Sequence, residues 1–286
     1  MTPTLARAQR MTDAQLAALS PRKRAVLEAE LGAWIRRDAQ ANQLVYYRVA
    51  NPEAVRLHLS IAREFGVQGG RKSAKTGTML AEAAIQMTGV VPMVFAVCAV
   101  CRAPMAKGGD GGWAHARPAQ DGHAARLRYP VEKLRAPIRV RLVVTSNVNA
   151  WDENIKQKLQ WFEWSGRLNE HDLPGDPRYG HWGFIPQRFL FDGDWEQSWS
   201  ERHRKLTLNL LGDGGRVPGS TLTVMSHGQA IEDFAQGSYH LVVEDEIPPE
   251  EIHRANRIRT LEVRGSLLTG GTPPDNRPGA VSAAWF

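Results

Sequence analysis

Cysteine and long hydrophobic runs are scarce in this sequence. Only two cysteines, Cys98 and Cys101, occur among 286 residues, which excludes a small secreted domain held together by disulfides and fits a reducing compartment. The longest apolar run, residues 90–100, is about half of the roughly 20 residues that a membrane-spanning helix needs. The N-terminus has arginines but no apolar segment behind them, which argues against a secretory signal.

No single sign of charge dominates either. Hydrophobic residues make up 42% and charged residues 23% of the chain, which excludes a fully disordered chain, a collagen-like repeat and a long coiled coil. The 36 Lys and Arg residues against 30 Asp and Glu give a net charge of +6. This mildly basic balance favours an anionic partner such as nucleic acid. The length predicts one large domain or two modest ones.

Hydrophobic periodicity predicts a helical N-terminal region followed by an α/β core. Residues 12–42 have apolar side chains at helical spacing behind a capping pattern, with a basic face that is either a solvated surface or part of a lid or DNA-facing element. Beyond them, β-rich stretches alternate with helical ones, which indicates a mainly parallel sheet flanked by helices. Residues 103–129 and 169–194 are expected to be long surface loops. We expect strands at 65–67, 90–100, 139–145, 222–225, 241–243 and 266–268, and helices at 76–87, 151–164 and 230–235.

A glycine-rich basic turn, GGRKSAKT at residues 69–76, lies between the first predicted strand and its helix. It matches the phosphate-loop pattern G-x-x-x-x-G-K-[ST] except that Ala74 replaces the last glycine; the alternative is an ordinary strand–helix turn. Small residues let backbone N–H groups surround phosphates, Lys75 would reach the β- and γ-phosphates, and the Thr76 hydroxyl would reach Mg²⁺. The predicted nucleotide-binding residues are Gly69, Gly70, Arg71, Lys72, Ser73, Ala74, Lys75 and Thr76.

The apolar strand LVVEDE at residues 241–246 ends in carboxylates. A phosphoryl-transfer ATPase needs one carboxylate near its metal and one that activates water. Asp245 suits the metal role and Glu246 the catalytic role. Strand alternation would place Glu244 and Glu246 on one side and Asp245 on the other, so Glu244 remains a competitor. The alternative is a strand end that simply caps the helix after Pro248.

A third strand ends in LTGGTPP at residues 268–274. In a parallel sheet, such a strand end lies beside the nucleotide site. Thr269 or Thr272 could there sense the γ-phosphate and pass its loss to a moving element. A plain β-turn is the alternative interpretation.

Taken in order, these three segments resemble the ATPase part of the large terminase subunit of tailed bacteriophages, a DNA-packaging motor. The likeness extends over residues 50–280 and implies a P-loop NTPase of the additional-strand (ASCE) type. It implies a lid-like helical subdomain at residues 1–48 and an ATPase core at residues 49–286. ATP and Mg²⁺ are the implied cofactors. The implied roles are phosphate contact for Lys75 and Arg71, the Mg²⁺ sphere for Thr76 and Asp245, catalysis for Glu246 with Lys75 and Arg71, and coupling for Thr269 and Thr272.

The resemblance also implies an activity and partners. A homo-oligomeric ring would hydrolyse ATP to move double-stranded DNA into a procapsid, with a portal protein and a small terminase subunit as partners. The implied location is the cytoplasm of the infected bacterial host, transiently at the portal. Only 12 residues follow Pro274, so we expect the family's C-terminal nuclease to be absent here and endonuclease activity only in a longer protein. Alternatives are a helicase-like DNA-dependent ATPase and a nucleotide-binding adaptor that does not hydrolyse ATP.

Cys98 and Cys101, with His115 and His123, are four possible zinc ligands. The cysteine pair has the spacing of a metal site, but the histidine pair is spaced more loosely than in a zinc finger. Two small residues at a strand end plus surface histidines are the simpler interpretation.

Three other features stay open. The tryptophans between residues 151 and 199 are expected in the core, with base stacking as the alternative. The arginines of residues 254–264 suit a solvated helix, an arginine finger or a DNA phosphate contact. An adenine-reading glutamine is not obvious: residues 51–53 lie where one is expected, and Gln68 adjoins the loop.

Overall fold

A seven-stranded sheet lies at the centre of the protein. The structure is a computed structural model that describes residues 11, 13–69, 74–109, 111–117, 122–163, 180–210 and 216–272. The described residues form the following strands, seven of which belong to the central sheet: β1 (Glu64–Gln68), β2 (Met105–Lys107), β3 (Trp113–His115), β4 (Arg139–Val144), β5 (Trp161–Glu163), β6 (Gly180–Trp182), β7 (Trp199–Ser200), β8 (Lys205–Asn209), β9 (Pro218–Ser226), β10 (Leu241–Glu244) and β11 (Ser266–Gly271).

Helices cover the sheet. A π-helical segment, Asn147–Ile155, leads directly into a short α-helix, and single 3₁₀ turns occur at Val131–Lys133, Gln187–Phe189 and Phe191–Gly193. The α-helices are α1 (Asp13–Ala17), α2 (Pro21–Ala41), α3 (Pro52–Leu59), α4 (Lys75–Thr88), α5 (Lys156–Leu159), α6 (Trp195–Ser198), α7 (Ile231–Phe234) and α8 (Glu250–Leu261). Among the residues that the structure describes, none of these helices is both long and apolar enough to cross a bilayer.

The predicted mainly parallel α/β sheet is confirmed. Its strand order is β1-β11-β10-β4-β9-β8-β7, with β1, β11, β10, β4 and β9 parallel and β8 and β7 antiparallel at one edge. Two small hairpins, β2–β3 and β5–β6, lie outside it. Strand β11 lies between β1 and β10 and is parallel to both. The carboxyl ends of these three strands therefore lie side by side along the same edge of the sheet.

The central strands are apolar on both faces because both faces are covered. Leu142 and Val243 point into the larger core, which contains most of α4. Their neighbours Val143 and Val242 point into a second core, formed with Phe234 of α7 and Ile252 of α8. Alternation along each strand therefore assigns one set of side chains to each covering layer.

The helical N-terminus is confirmed as α1 and α2. Ser20 caps α2 by accepting a hydrogen bond from the Lys23 N–H, and Pro21 occupies its first position. None of the residues of α2, all of which the structure describes, is buried. Thr12, the first residue of the capping pattern, lies outside the described residues.

Two predicted elements are wrong. Residues 90–100 form turns rather than a strand, because the N–H groups of Phe95 and Ala96 donate to the Pro92 carbonyl and only Val97 and Cys98 make single bridges. The predicted helix 151–164 is a π-helical segment and α5, and it stops before β5 begins at Trp161. The expected loop 103–129 contains β2 and β3, and residues 164–179 lie outside the described part of the chain.

A buried carboxylate anchors α4 to its surroundings. Glu82 is fully buried and accepts hydrogen bonds from Tyr129 (2.9 Å) and Gln86 (2.8 Å). Lys133 Nζ lies 2.7 Å from one of its oxygens, and His58 Nδ1 of α3 lies 2.6 Å from the other. Burial alone would raise the pKa of Glu82, but the Lys133 charge and the His58 contact lower it to about 2.

Acid is expected to weaken the fold through Glu82. Since its pKa is lowered from 4.5 to about 2, its contribution is complete above pH 4.5 and is lost as the pH falls from there towards 2. This loss is on the order of 2–3 kcal/mol in the free energy of unfolding. Urea titrations at several pH values measure it. Glu82→Gln should flatten the dependence, whereas Glu53→Gln, which removes an exposed carboxylate of α3, should leave it unchanged; equal slopes in all three proteins would contradict this role.

Candidate nucleotide-binding site

A cavity of about 1120 Å³ opens where β1, β10 and β11 end. Parallel pairing aligns Gln68 with Gly271 and Glu244 with Thr269, so the segments that follow β1 and β10 and the end of β11 lie side by side. The cavity is lined by residues from all three predicted motifs: Ala74, Lys75, Thr76, Asp245, Glu246 and Thr272.

The predicted phosphate loop contributes one wall. Lys75 begins α4, and its Nζ donates to the Gly69 carbonyl and lies 3.4 Å from the Thr272 hydroxyl. The first turn of α4 therefore opens at the cavity, with its N–H groups and positive helix end on that side. Four of the predicted loop residues, Gly70, Arg71, Lys72 and Ser73, lie outside the described residues.

Ala74 has a left-handed backbone, with φ 62° and ψ 15°. This conformation crowds the Cβ of any residue except glycine and costs roughly 1–2 kcal/mol. The phosphate-loop pattern has glycine at this position, and the backbone of this chain keeps the conformation that glycine permits. The alanine is therefore a local strain at the start of α4.

Asp245 lines the cavity next to Thr76. Its Oδ1 accepts a hydrogen bond from the Thr76 hydroxyl at 2.5 Å, and its backbone N–H donates to the Val143 carbonyl at 3.0 Å. Burial raises the pKa of Asp245, and the nearby Glu246 charge adds to this, while the Thr76 hydrogen bond opposes it. A hydroxyl and a carboxylate in contact are a pair of hard oxygen donors, the ligand type that Mg²⁺ prefers.

Glu246 and Thr272 join the end of β10 to the end of β11. The Thr272 N–H donates to Glu246 Oε2 at 3.2 Å, and its hydroxyl lies 3.4 Å from Oε1. Since the same hydroxyl faces Lys75 Nζ, Thr272 is the residue that contacts both the lysine and the carboxylate.

Glu244 is separated from this group. It is fully buried and accepts hydrogen bonds from Thr269 and Asn256, each at 2.8 Å, while His253 Nδ1 lies 2.8 Å away. The expectation that Glu244 and Glu246 share one side is wrong, because β10 ends at Glu244 and the chain bends at Asp245 and Glu246, which both line the cavity.

Lys158 and Gln43 are among the residues of the cavity wall that sequence reasoning missed. Lys158 of α5 lines it, and its Nζ donates to the Asn154 carbonyl at 2.8 Å. Burial lowers the pKa of Lys158, and the Asp245 charge partly offsets this. Gln43 lines this cavity and also a second one of about 530 Å³ beside it. No local sequence pattern marks either residue as part of a site.

Residues 51–53, where a base-reading residue was expected, lie at the start of α3 instead. The Asn51 side chain caps α3 by accepting from the Ala54 N–H at 2.9 Å, so its amide oxygen is committed to the backbone. Gln43 instead lies at the junction of the two cavities, which also share Ala74, Gly77 and Phe184.

The tryptophans and the arginines after β10 have identifiable surroundings in the described part of the chain. The expectation of core tryptophans is confirmed for Trp151, Trp161, Trp195 and Trp199, which are buried; Trp182 is half-buried, and Trp164 lies outside the described residues. In the basic stretch after β10, the arginines of α8 pair with surface carboxylates: Arg254 with Glu250, Arg257 with Glu64 and Arg259 with Glu262.

Replacing Ala74 with glycine is expected to stabilise the protein. Ala74→Gly removes the strained Cβ and should raise the free energy of unfolding by about 1 kcal/mol, after the extra chain entropy of glycine is subtracted. Ala83→Gly in the helical interior of α4 is the matched control and should lower it by about 1 kcal/mol. Urea denaturation followed by circular dichroism measures both. A destabilised Ala74→Gly would mean that the left-handed assignment is wrong.

Comparison with known proteins gives one distant structural likeness. No family model matches the sequence, and no curated protein matches it. Among solved structures, a point mutant of the ATPase domain of a Thermus phage large terminase is similar, with a TM-score of 0.40 and 12% identity over 83% of this chain and 70% of that chain. So distant a likeness decides nothing about activity, which has to be argued from the side chains of this protein.

Proposed function

We propose that the protein is a P-loop ATPase that binds Mg²⁺–ATP in the cavity at the ends of β1, β10 and β11. The convergence of Lys75, Thr76, Asp245 and Glu246 on this one cavity carries the proposal. The position of β11 between β1 and β10 supports the additional-strand type, in which such a strand separates the phosphate-loop strand from the acidic strand.

The donor set fits a magnesium ion. Thr76 and Asp245 offer a hydroxyl and a carboxylate 2.5 Å apart, and these two residues would hold the ion, directly or through water. When bound, Mg²⁺ neutralises negative charge on the phosphate oxygens. Lys75 and the α4 N-terminus bind the same phosphates from the loop side, together with Arg71 and the other loop residues.

Glu246 is proposed as the general base. Its carboxylate accepts a proton from the attacking water while the Thr272 N–H holds one of its oxygens in place. Lys158 adds a positive charge to the wall of the cavity, where charge on the transferring phosphoryl group needs to be stabilised. The smaller cavity, entered past Gln43, is where we place the nucleotide base.

DNA translocation is the finer part of the proposal. It is supported by the ordered motifs and the mildly basic charge of the chain. Double-stranded DNA, a portal protein, a small terminase subunit and a homo-oligomeric ring are its proposed partners, with residues 1–48 as a lid beside the ATPase core. A helicase-like ATPase would unwind a forked duplex, whereas a packaging motor would not.

The experiment that tests the proposal is ATP turnover with and without double-stranded DNA over a range of protein concentrations. Stimulation by DNA together with a steep concentration dependence supports a ring motor. Steady-state phosphate release at the level of the buffer blank, with ATP bound, would instead identify a non-hydrolysing adaptor. Unwinding of a forked duplex would identify a helicase.

Two substitutions should separate binding from chemistry. Glu246→Gln is expected to lower turnover by roughly 10²–10⁴-fold while ATP still binds. Lys75→Ala is expected to abolish ATP binding, because it removes the cation on the phosphates. Glu250→Gln, an exposed acid at the start of α8, is the control and should keep normal turnover. Unchanged turnover in Glu246→Gln would overturn the catalytic assignment, and normal ATP affinity in Lys75→Ala would overturn the loop assignment.

Lys158 allows a test that the resemblance did not suggest. Lys158→Met keeps the packing of the aliphatic stem but removes the charge, so we expect turnover to fall by roughly 10²-fold with ATP affinity much less changed. Lys156→Met on the same short helix is the matched control and should behave like the unaltered protein. Stopped-flow turnover and equilibrium binding of a fluorescent ATP analogue measure the two quantities. Equal effects of both substitutions would remove Lys158 from the site.

A further inference from the structure

Two cysteines and two histidines converge between α4 and β4. The Sγ atoms of Cys98 and Cys101 and ring nitrogens of His115 and His123 all lie within 4.8 Å of one another. Cys98 Sγ is 3.3 Å from His123 Nε2, and Cys101 Sγ is 3.5 Å from His115 Nε2. Separate thiol–imidazole contacts would account for either pair alone, but not for four ligand atoms around one centre.

Separate parts of the chain build this cluster. The two cysteines belong to one tight turn, in which the Cys98 N–H donates to the Ala103 carbonyl at 2.8 Å and Arg102 has a positive φ of 63°. His115 ends β3, opposite Met105 of β2.

His123 belongs to the segment that follows β3 and runs back past the cysteine turn. That segment is held to the cysteine turn by two backbone hydrogen bonds, from the Ala99 N–H to the Arg126 carbonyl (2.7 Å) and from the Arg128 N–H to the Val97 carbonyl (2.8 Å). The backbone therefore fixes the position of the cluster independently of the side chains.

We propose that Cys98, Cys101, His115 and His123 bind one structural zinc ion. In a tetrahedral site with Zn–S of about 2.3 Å and Zn–N of about 2.0 Å, neighbouring ligand atoms lie roughly 3.3–3.8 Å apart. The two cysteine–histidine distances already fall in that range. Four protein ligands complete the coordination, so the site is of the closed, structural kind and leaves no position for a substrate.

The ligand chemistry selects the metal. Thiolate and imidazole suit Zn²⁺, whereas Mg²⁺ and Ca²⁺ require oxygen donors. This site is therefore chemically distinct from the Thr76–Asp245 pair proposed for Mg²⁺. The simpler interpretation, two small residues beside surface histidines, does not explain why all four side chains turn inward on one point.

The segment also needs such a cross-link. Its strands β2 and β3 have three residues each, and a two-stranded hairpin of that size is marginal in water. Only a few of its described side chains, such as Met105 and Leu127, reach the main core. A bound metal commonly replaces a hydrophobic core in modules of this size.

Metal analysis of the purified full chain tests the proposal. We expect about one zinc per chain by mass spectrometry after gel filtration without chelator, and Co²⁺ substitution should give intense tetrahedral visible bands and a thiolate charge-transfer band. Absence of zinc after incubation with excess ZnSO₄, or a Co²⁺ spectrum without the thiolate band, would overturn it.

Substitutions assign the ligands. Cys101→Ser and His115→Ala should lower the zinc content from about one per chain to near zero. Cys101 is exposed, so its substitution leaves the core intact and circular dichroism should show a folded chain. His203→Ala, an exposed histidine in another segment, should retain full zinc. Unchanged zinc content in Cys101→Ser and His115→Ala would refute the assignment, and the Co²⁺ spectrum of the unaltered protein decides the matter if either variant fails to fold.

Discussion

The insertion of β11 between β1 and β10 is the constraint on which the candidate site depends. Parallel pairing on both sides of β11 brings three strand ends to one edge and sets their relative height. The fit is tight: a Cβ on Gly270 would lie 2.8 Å from the Asp245 carbonyl oxygen and 2.5 Å from Met79 of α4. Glycine at this position therefore allows the loop helix, the acidic strand end and β11 to approach closely enough for their side chains to touch.

The carboxylates of Glu82 and Asp245 respond to burial in opposite ways. Glu82 is surrounded by hydrogen-bond donors and a lysine, which favour its ionised form and fix α4 to α3 and to the chain before β4. Asp245 is half-buried, and burial raises its pKa because the Thr76 hydroxyl compensates less. A carboxylate whose pKa is raised in this way is stabilised in its ionised form by a cation placed beside it. Glu82 therefore fixes α4 in the fold, whereas Asp245 is suited to binding a cation.

Much of the core and of the site was predictable from sequence, for identifiable physical reasons. The strands at β4, β10 and β11 are short apolar runs ended by polar or glycine-rich turns, and parallel packing on both faces needs such runs. Residues 90–100 are equally apolar but pack through Phe95 and Cys98 without a neighbouring strand, which composition does not reveal. Lys158 and Gln43 reach the cavity only through the path of the chain in three dimensions, so no local pattern marks them.

The two threonines predicted for coupling lie in different surroundings. Thr272 contacts Lys75 and Glu246 in the cavity. Thr269 donates to the buried Glu244, which also accepts from Asn256 of α8, and Asn256 in turn accepts from Arg141 of β4 at 2.8 Å. Only two residues, Gly270 and Gly271, thus separate a solvent-accessible contact from a buried polar network. Because the two threonines are joined by this short stretch of backbone, a displacement of that backbone would change both sets of contacts.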